Sequence, residues 1–366
     1  MIEVKLPAMG SDMEEGKLLE WKVKPGDAVK KGDVIAVVDT TKAAVDVESW
    51  DEGTLHELLV PVGETVPVGT VIATLLASGE SAPAPGARRV EPSPAPAARK
   101  LVSPAARARA KELGVDAEKI AGTGSQGAVT IEDVEKAAHG AKPADRASEM
   151  RRAIAAAMGR SKREIPHYYL SESIPMARAV EWLAAENAKR PVTERLLMGV
   201  LQLKAVAVAL AKTPELNGFW RDGAFVPSAA VHIGVAISIR EGGLIAPAIH
   251  DVDKRSLAEL MRDLSDLVTR ARAGSLRSSE MSDPTITVTN LGEGGVEAVY
   301  GVIYPPQVAL VGFGRIVTRA WVEDGNVRAM PLVIASLAAD HRASDGIRGA
   351  RFLAELRERL QHPETL

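Results

Sequence analysis

A histidine followed four residues later by Asp-Gly is the feature whose residue types most directly suggest catalysis. Residues 340–346 read DHRASDG, and the apolar spacing of residues 347–360 predicts a helix directly after them. Because a histidine side chain gains and loses a proton near neutral pH, His341 is a candidate general base. The pair of His341 and Asp345 is a weak signal alone, since a structural histidine explains most such pairs. The glycine and the helix that follow make it more specific.

A lysine in a second segment has the position of a covalent attachment site. Residues 37–47 read VVDTTKAAVDV. Alternating valines on both sides of Thr41 and Lys42 predict a β-hairpin with Lys42 at or near its tip. Solvent-exposed lysines on turns are common. The sequence around the hairpin is therefore needed to distinguish an attachment site from an ordinary surface lysine.

An internal repeat of 37 residues surrounds this lysine. The residues of the first half that recur are Glu15, Gly16, Val23, Gly26, Val29, Gly32, Val34 and Ile35, and their counterparts are Glu52, Gly53, Val60, Gly63, Val66, Gly69, Val71 and Ile72. Alternating Val and Ile with regularly placed Gly predict short strands joined by tight turns. Two such halves within residues 1–76 predict an all-β flattened barrel with pseudo-twofold symmetry, and Lys42 lies between the halves.

Two changes in composition divide the rest of the chain. Residues 77–99 contain 12 Ala or Pro in 23 positions, which leaves little apolar bulk to bury, so we expect a flexible linker. A weaker break at 139–147 (HGAKPADRA) separates a small block, residues 100–138, from a large C-terminal domain, residues 148–366.

The small block predicts two helices. Ser103 followed by Pro104 is typical of a helix start, and Gly114 of a helix end. After a loop that contains three glycines, Thr130 opens a second helix that reaches Ala138. A unit of this size has a marginal core, and its first helix, which includes Arg107, is basic.

Residues 148–366 alternate helices and strands, which predicts an α/β domain. The predicted helices are 151–163, 193–211, 257–273 and 347–360, and the predicted strands are 231–239, 285–289 and 308–311.

Composition narrows the function classes. A net charge of −3 gives no indication of a nucleic-acid partner, and no apolar run reaches membrane-spanning length. The start, MIEVKLPAMG, lacks the pattern of a signal peptide, so we expect a cytoplasmic protein. The chain has no cysteine, so any thiol chemistry must come from a cofactor or a substrate. His167, His232 and His250 lack metal-ligand spacing, so no metal site is expected.

Residues 1–76 resemble the lipoyl domains of 2-oxo acid dehydrogenase complexes. The resemblance implies a covalent lipoyl group on Lys42, attached by a lipoyl ligase or lipoyltransferase. Biotin carriers are the alternative, but they have Met on both sides of the modified lysine, where this chain has Thr41 and Ala43. The lipoyl family more often has Asp before the lysine, and Thr41 departs from that pattern.

Residues 100–138 resemble the peripheral-subunit-binding domain of the same complexes. The matching residues are Ser103, Pro104, Ala105, Gly114, Val115, Asp116, Gly122, Thr123, Gly124, Gly127, Glu132, Asp133 and Val134. The resemblance implies docking of the dihydrolipoamide dehydrogenase or the 2-oxo acid decarboxylase component, largely by charge. Arg107 matches a basic family position, whereas Ala128 replaces a basic one. A two-helix linker with a solvated basic face is the alternative.

Residues 148–366 resemble acyl-CoA-dependent acyltransferases, including the catalytic domain of these complexes and chloramphenicol acetyltransferase. The matching segments are 150–155 (MRRAIA), 165–170 (IPHYYL), 216–217 (LN), 287–292 (TVTNLG), 304–307 (YPPQ) and the segment around His341. The resemblance implies that His341 removes the proton of a CoA or dihydrolipoyl thiol and that the hydroxyl of Thr289 stabilises the oxyanion. It also implies that Asp345 holds local structure through a salt bridge to Arg151.

The sequence therefore predicts a multidomain acyltransferase that passes an acyl group from S-acyl-dihydrolipoyl-lysine to coenzyme A. A catalytically inactive, lipoyl-bearing scaffold is the alternative, but such a protein should lose the histidine that this chain retains. The resemblance further implies a homotrimer with active sites between subunits, and a 24- or 60-subunit core. The sequence does not identify the acyl group, although acetyl is the first expectation.

Overall fold

The structure is a computed structural model that describes residues 1–9, 13, 15–40, 44–77, 104–113, 128–131, 133–134, 146–239, 243–292 and 294–366. The chain forms two compact units, residues 1–80 together with 150–366, and residues 81–149. Most of the two predicted linkers, and Lys42, lie outside the described residues. No described helix has both the length and the apolar composition that crossing a membrane requires.

The N-terminal domain consists of short strands in two sheets. The strands are β1 (Ile2–Lys5), β2 (Glu15–Trp21), β3 (Ala28–Val29), β4 (Val34–Asp39), β5 (Ala44–Glu48), β6 (Gly53–Leu58), β7 (Thr65–Pro67) and β8 (Val71–Leu76). One sheet has the order β1-β8-β6-β3, and the other contains β5-β4-β2-β7. Their inward side chains form one apolar core, which confirms the predicted flattened barrel.

The sequence repeat is also a repeat of backbone hydrogen bonds. Gly26 has φ 98° and Gly63 has φ 94°, a left-handed conformation that favours glycine. The N–H of Gly26 donates to Leu55 O (2.8 Å), and the N–H of Gly63 donates to Leu18 O (2.7 Å). Donors and acceptors are each related by 37 residues, so the pseudo-twofold symmetry holds at the level of individual bonds.

In residues 81–149, the structure describes α1 (Pro104–Leu113) and the start of the second predicted helix. Asp133 Oδ2 accepts hydrogen bonds from the N–H (2.9 Å) and the hydroxyl (3.0 Å) of Thr130, an arrangement that starts a helix. Four small apolar side chains form the core here: Ala106, Ala110, Val129 and Val134. The predicted end of that helix at Ala138 lies outside the described residues.

The C-terminal domain is α/β, as predicted. Its helices are α2 (Arg146–Glu164), α3 (Ala177–Ala188), α4 (Met198–Leu210), α5 (Leu257–Ala273), α6 (Ser278–Ser282) and α7 (Gly346–Gln361). Its strands are β9 (His167–Pro175), β10 (Gly218–Arg221), β11 (Ala224–Pro227), β12 (Ile233–Val235), β13 (Ile237–Ser238), β14 (Leu244–Ile245), β15 (Ala248–Ile249), β16 (Ser275–Arg277), β17 (Ile286–Asn290), β18 (Ala309–Phe313), β19 (Val317–Glu323) and β20 (Asn326–Asp340).

A mixed sheet with the order β15-β12-β17-β18-β20-β19 organises this domain, and β9 also pairs with β20. β12, β17 and β18 are mutually parallel, whereas β20 is antiparallel to β18, β19 and β9. β19 and β20 join through a two-residue turn in which Asp324 (φ 51°) and Gly325 (φ 76°) are both left-handed. α4 and α7 pack into the main apolar core with these strands.

Three predicted elements differ from the structure, and one of them is α2, which begins at Arg146 instead of residue 151. The strand predicted over 231–239 is divided, because β12 pairs with β15 and β17 in the main sheet whereas β13 pairs with β14 in a separate two-stranded sheet. The helix predicted over 193–211 begins at Met198, because Leu197 is extended (φ −97°, ψ 150°) and breaks the helical backbone there.

Candidate active site

His341 follows the last residue of β20, at one end of the central sheet. Two backbone hydrogen bonds hold the chain at this point: the N–H of Asp340 donates to Val308 O (2.9 Å), and the N–H of His341 donates to Pro166 O (3.0 Å). The chain segments that lead into β9 and β18 therefore fix the backbone of His341 from both sides, while its side chain remains exposed.

One neighbouring ring limits the orientation of the His341 side chain. The ring centroid of Tyr168 lies 5.2 Å from that of His341, in an edge arrangement. The Tyr168 hydroxyl shares a 2.8 Å hydrogen bond with the hydroxyl of buried Ser344. Burial raises the pKa of Tyr168, so this phenol stays protonated at neutral pH and acts as a fixed support for His341.

An ion pair between a buried carboxylate and an exposed arginine fixes the turn that carries His341. Asp340 is 0% exposed, and its carboxylate accepts from Arg342 Nε (3.0 Å), Nη2 (2.7 Å) and backbone N–H (2.9 Å). The Arg342 guanidinium lies 4.5 Å from the ring centroid of Trp220. The sequence prediction did not include this pair, although both residues stand next to His341 in the motif.

Asp345 caps α7 with its carboxylate. Oδ1 accepts from the N–H groups of Ile347 (3.0 Å) and Arg348 (3.0 Å), and Oδ2 forms an ion pair with Arg348. The hydrogen bond from the Arg348 N–H is the main reason why the pKa of Asp345 is lowered, so Asp345 remains ionised. The structure places Arg348 at this carboxylate, and the salt bridge between Asp345 and Arg151 stays a prediction.

Thr289 lies far from His341 within one chain. It is half-buried on β17 and is in register with Gly312 on β18, which is in register with Ser336 on β20. His341 follows Ser336 by five residues, which is about 16 Å along an extended strand. The structure therefore does not bring the predicted base His341 and the predicted oxyanion donor Thr289 together within one chain.

The end of β17 beyond Thr289 is held by a side-chain contact that the sequence did not reveal. Asn290 Nδ2 donates to Oε1 of buried Gln202 on α4 (2.5 Å), and Asn290 Oδ1 accepts from the N–H of Gly292 (2.7 Å). This contact fixes the strand end that presents Thr289. Gln202 and Lys204 are the two polar side chains of a largely apolar helix, and a polar residue in such a helix is the signal that could have identified Gln202.

His167 lies at the same end of the sheet as His341, in register with Asp340, and has a structural role. His167 Nε2 accepts from the N–H of Ile303 (3.1 Å), so its proton is on Nδ1, which donates to Ile165 O (2.9 Å). Burial lowers the pKa of His167, so the ring stays neutral. Within the described parts of the chain, no group of three or more His, Asp or Glu side chains could hold a metal ion.

The predicted hairpin around Lys42 is confirmed by its two strands. β4 and β5 are antiparallel, with Val38 in register with Val45 and Asp39 with Ala44. Lys42 itself lies outside the described residues, as do residues 114–127 of the predicted subunit-binding domain. In that domain, Arg107 is exposed on α1.

Comparison with known families identifies the family that each domain of the chain matches. Residues 141–366 match the family of 2-oxoacid dehydrogenases acyltransferase (catalytic domain). The chain belongs to this family. Residues 2–75 match a biotin and lipoyl attachment family described as "Biotin-requiring enzyme", and residues 100–135 match the e3 binding domain. The chain is thus a dihydrolipoamide acyltransferase with a lipoyl cofactor, and coenzyme A is its acyl acceptor.

Curated relatives are similar over their whole length. A protein of Rhizobium meliloti (strain 1021) is 32% identical over 99% of this chain and 98% of its own. A protein of Staphylococcus aureus is 30% identical over 100% of this chain and 98% of its own. Both are named dihydrolipoyllysine-residue acetyltransferase component of pyruvate dehydrogenase complex.

Solved structures match the C-terminal domain. A probable dihydrolipoamide acetyltransferase from Listeria monocytogenes has a TM-score of 0.55 and 30% identity, and it covers 58% of this chain and 91% of that chain. The cubic core of a pyruvate dehydrogenase multienzyme complex has a TM-score of 0.55 and 29% identity, covering 58% and 88%. The Azotobacter vinelandii dihydrolipoamide acetyltransferase gives 0.55 and 28%, also covering 58% and 88%.

Proposed function

We propose that this chain transfers an acetyl group from a lipoyl group on Lys42 to coenzyme A within a pyruvate dehydrogenase complex. The observation that carries the proposal is the exposed imidazole of His341 on a rigidly held turn at the end of the sheet. The choice of acetyl is supported by the full-length relatives, which are named as acetyltransferases of that complex.

His341 acts as the general base. A thiolate is the competent nucleophile, so the base must take the proton from the thiol of coenzyme A. Asp340, Arg342 and Tyr168 hold the turn and the ring in place, and Asp345 acts as a positioning residue through the start of α7. A lipoyl group supplies the sulfur that carries the acyl group, and the chain has no cysteine that could do so.

Thr289 donates a hydrogen bond to the oxyanion from a second copy of the chain. The separation of about 16 Å along the sheet supports a site that is completed between subunits. The Azotobacter vinelandii structure concerns a serine, a histidine and an asparagine in the catalytic mechanism of that protein. The asparagine follows the histidine there by four positions, the same spacing as that between His341 and Asp345 in this chain. We propose a homotrimer, and the 24- or 60-subunit core stays a prediction.

The other domains connect this site with the rest of the complex. A lipoyl ligase or lipoyltransferase modifies Lys42, which follows β4 and precedes β5 in the chain. The e3 binding domain holds dihydrolipoamide dehydrogenase or the 2-oxo acid decarboxylase, and Arg107 contributes to that contact from an exposed position on α1. A cytoplasmic location is part of the proposal, and cell fractionation tests it.

Two measurements test the proposal. Mass spectrometry of the peptide that contains Lys42 should show the mass of a lipoyl group; a biotin mass would contradict the assignment. In an assay with acetyl-CoA and free dihydrolipoamide, His341→Ala should lose nearly all transfer while circular dichroism shows an intact fold. A folded wild-type protein without transfer would indicate the inactive scaffold, and a folded His341→Ala protein with full activity would refute the proposed mechanism.

A further inference from the structure

One strand of the C-terminal domain pairs with a strand of the N-terminal domain. Among the strands that the structure describes, β16 (Ser275–Arg277) pairs with β5 alone. The pairing is parallel, with Ser275 in register with Ala44, Leu276 with Val45 and Arg277 with Asp46. The C-terminal domain thus adds a fifth strand to a sheet of the lipoyl domain.

Side-chain hydrogen bonds extend this backbone pairing. Glu48, the last residue of β5, accepts from the hydroxyl (2.6 Å) and the N–H (3.3 Å) of Ser279 at the start of α6. In return, the N–H of Glu48 donates to the hydroxyl of Ser278 (3.2 Å), whose residue is 1% exposed. These bonds set the register of β5 on β16, because a slip by one residue would break all of them.

Apolar side chains are also buried where β5 pairs with β16. Leu276 is 0% exposed and Val45 is 1% exposed. Met281 on α6 packs against the main core of the C-terminal domain and also against the core of the lipoyl domain. The contact therefore combines strand addition, which gives affinity through the main chain, with side chains that select the partner.

Charges on the two sides are complementary. Asp46 faces the positive charges of Arg277 and Arg270 of the C-terminal domain and of Lys22 of its own domain. Burial nevertheless raises the pKa of Asp46, and these cations oppose the rise. A carboxylate that is desolvated at a contact needs such cationic neighbours.

We propose that residues 275–282, comprising β16 and α6, are a docking surface for the lipoyl domain of the same enzyme, which binds by adding β5 in parallel to β16. The inference goes beyond acyl transfer and does not depend on which acyl group is carried. β5 is one strand of the hairpin around Lys42, so docking holds that hairpin beside Ser275 of the catalytic domain.

A designed disulfide tests the docking, because the chain has no cysteine of its own. The full-length chain with Ala44→Cys and Ser275→Cys places two thiols at paired positions, where Cα atoms of neighbouring strands lie about 5 Å apart, within the range for a disulfide. A Lys42→Arg background removes the lipoyl sulfur, which would otherwise exchange with the new thiols. The matched control combines Ser275→Cys with Ala28→Cys, an exposed alanine on β3 in the other sheet.

The readout is the rate at which glutathione buffer produces the disulfide-linked peptide pair, measured by mass spectrometry. We expect the pair 44/275 to form at least about tenfold faster than the pair 28/275. Equal rates for the two pairs would overturn the proposal, because they would indicate random encounters of tethered domains. Transfer to free dihydrolipoamide is measured on the same samples, so a loss of the proposed catalysis is distinguished from a loss of docking.

A second pair of variants isolates the Glu48 contact. Added to the 44/275 cysteine pair, Glu48→Ala should slow disulfide formation roughly tenfold, because it removes hydrogen bonds to a charged acceptor. Glu57→Ala, an exposed glutamate on β6, should leave the rate unchanged. Thermal unfolding of each variant shows whether the lipoyl domain is intact; a folded Glu48→Ala variant with an unchanged rate would contradict the proposed role of Glu48.

Discussion

An active site shared between two chains makes a quantitative prediction for mixed oligomers. His341→Ala removes the proposed base, which we expect to cost about a hundred- to ten-thousand-fold in rate. Thr289→Ala removes the oxyanion donor, which we expect to cost about a hundred- to thousand-fold. Each variant alone is therefore nearly inactive. The separation of the two residues along the sheet, about 16 Å, means that neither chain can restore its own site.

When the two variants are mixed in equal amounts, some sites again contain both intact residues. In a trimer with head-to-tail interfaces, each site draws its histidine from one chain and its threonine from a neighbour, so about a third of the sites in mixed trimers become complete. The two variants are co-expressed with different affinity tags, and trimers that carry both tags are isolated. With acetyl-CoA and dihydrolipoamide as substrates, we expect these trimers to have about a third of the wild-type rate. Activity that stays at the level of the single variants would refute a site shared between chains.

Three further predictions concern the supports of this site and the docking of partners. Arg342→Ala should destabilise the C-terminal domain by about 3 kcal/mol in chemical denaturation, because it leaves the carboxylate of Asp340 buried without its partner. For His167, the folded pKa is below the unfolded value, so the unfolded state binds more protons and stability falls as the pH decreases below about 6.5. Urea titrations at several pH values should show that His167→Gln has a smaller loss between pH 7 and pH 5 than wild type; an equal loss would exclude this contribution. Arg107→Ala should slow association with the dihydrolipoamide dehydrogenase component and reduce its dependence on salt, measured by surface plasmon resonance at two ionic strengths.

Local patterns were sufficient to predict several parts of the fold. The repeated glycines at 26 and 63 predicted turns that need positive φ, and alternating valines predicted the hairpin of β4 and β5. The helix predicted over 257–273 has the same bounds in the structure, because Ser256 and Glu259 form a capping box and Gly274 ends the helix. These features depend on residues that are close together in the sequence.

Features that depend on distant parts of the chain could not be predicted in this way. The pairing of β5 with β16 joins residues about 230 positions apart, and short strands such as β16 have no periodicity of their own. The ion pair between Asp345 and Arg348, by contrast, is a local contact three residues apart that the sequence prediction did not include. The distance between Thr289 and His341 required the strand order, which follows from the fold as a whole.

The long strand β20 limits where the chain can change in length. Side chains of a strand alternate between the two faces, so one inserted residue between 332 and 340 would exchange the sides occupied by Asp340 and His341. The buried carboxylate would then be exposed, and the imidazole would be driven into the core. Insertions and deletions in natural variants should therefore be confined to the turn at Asp324 and Gly325, where the hairpin ends in solvent.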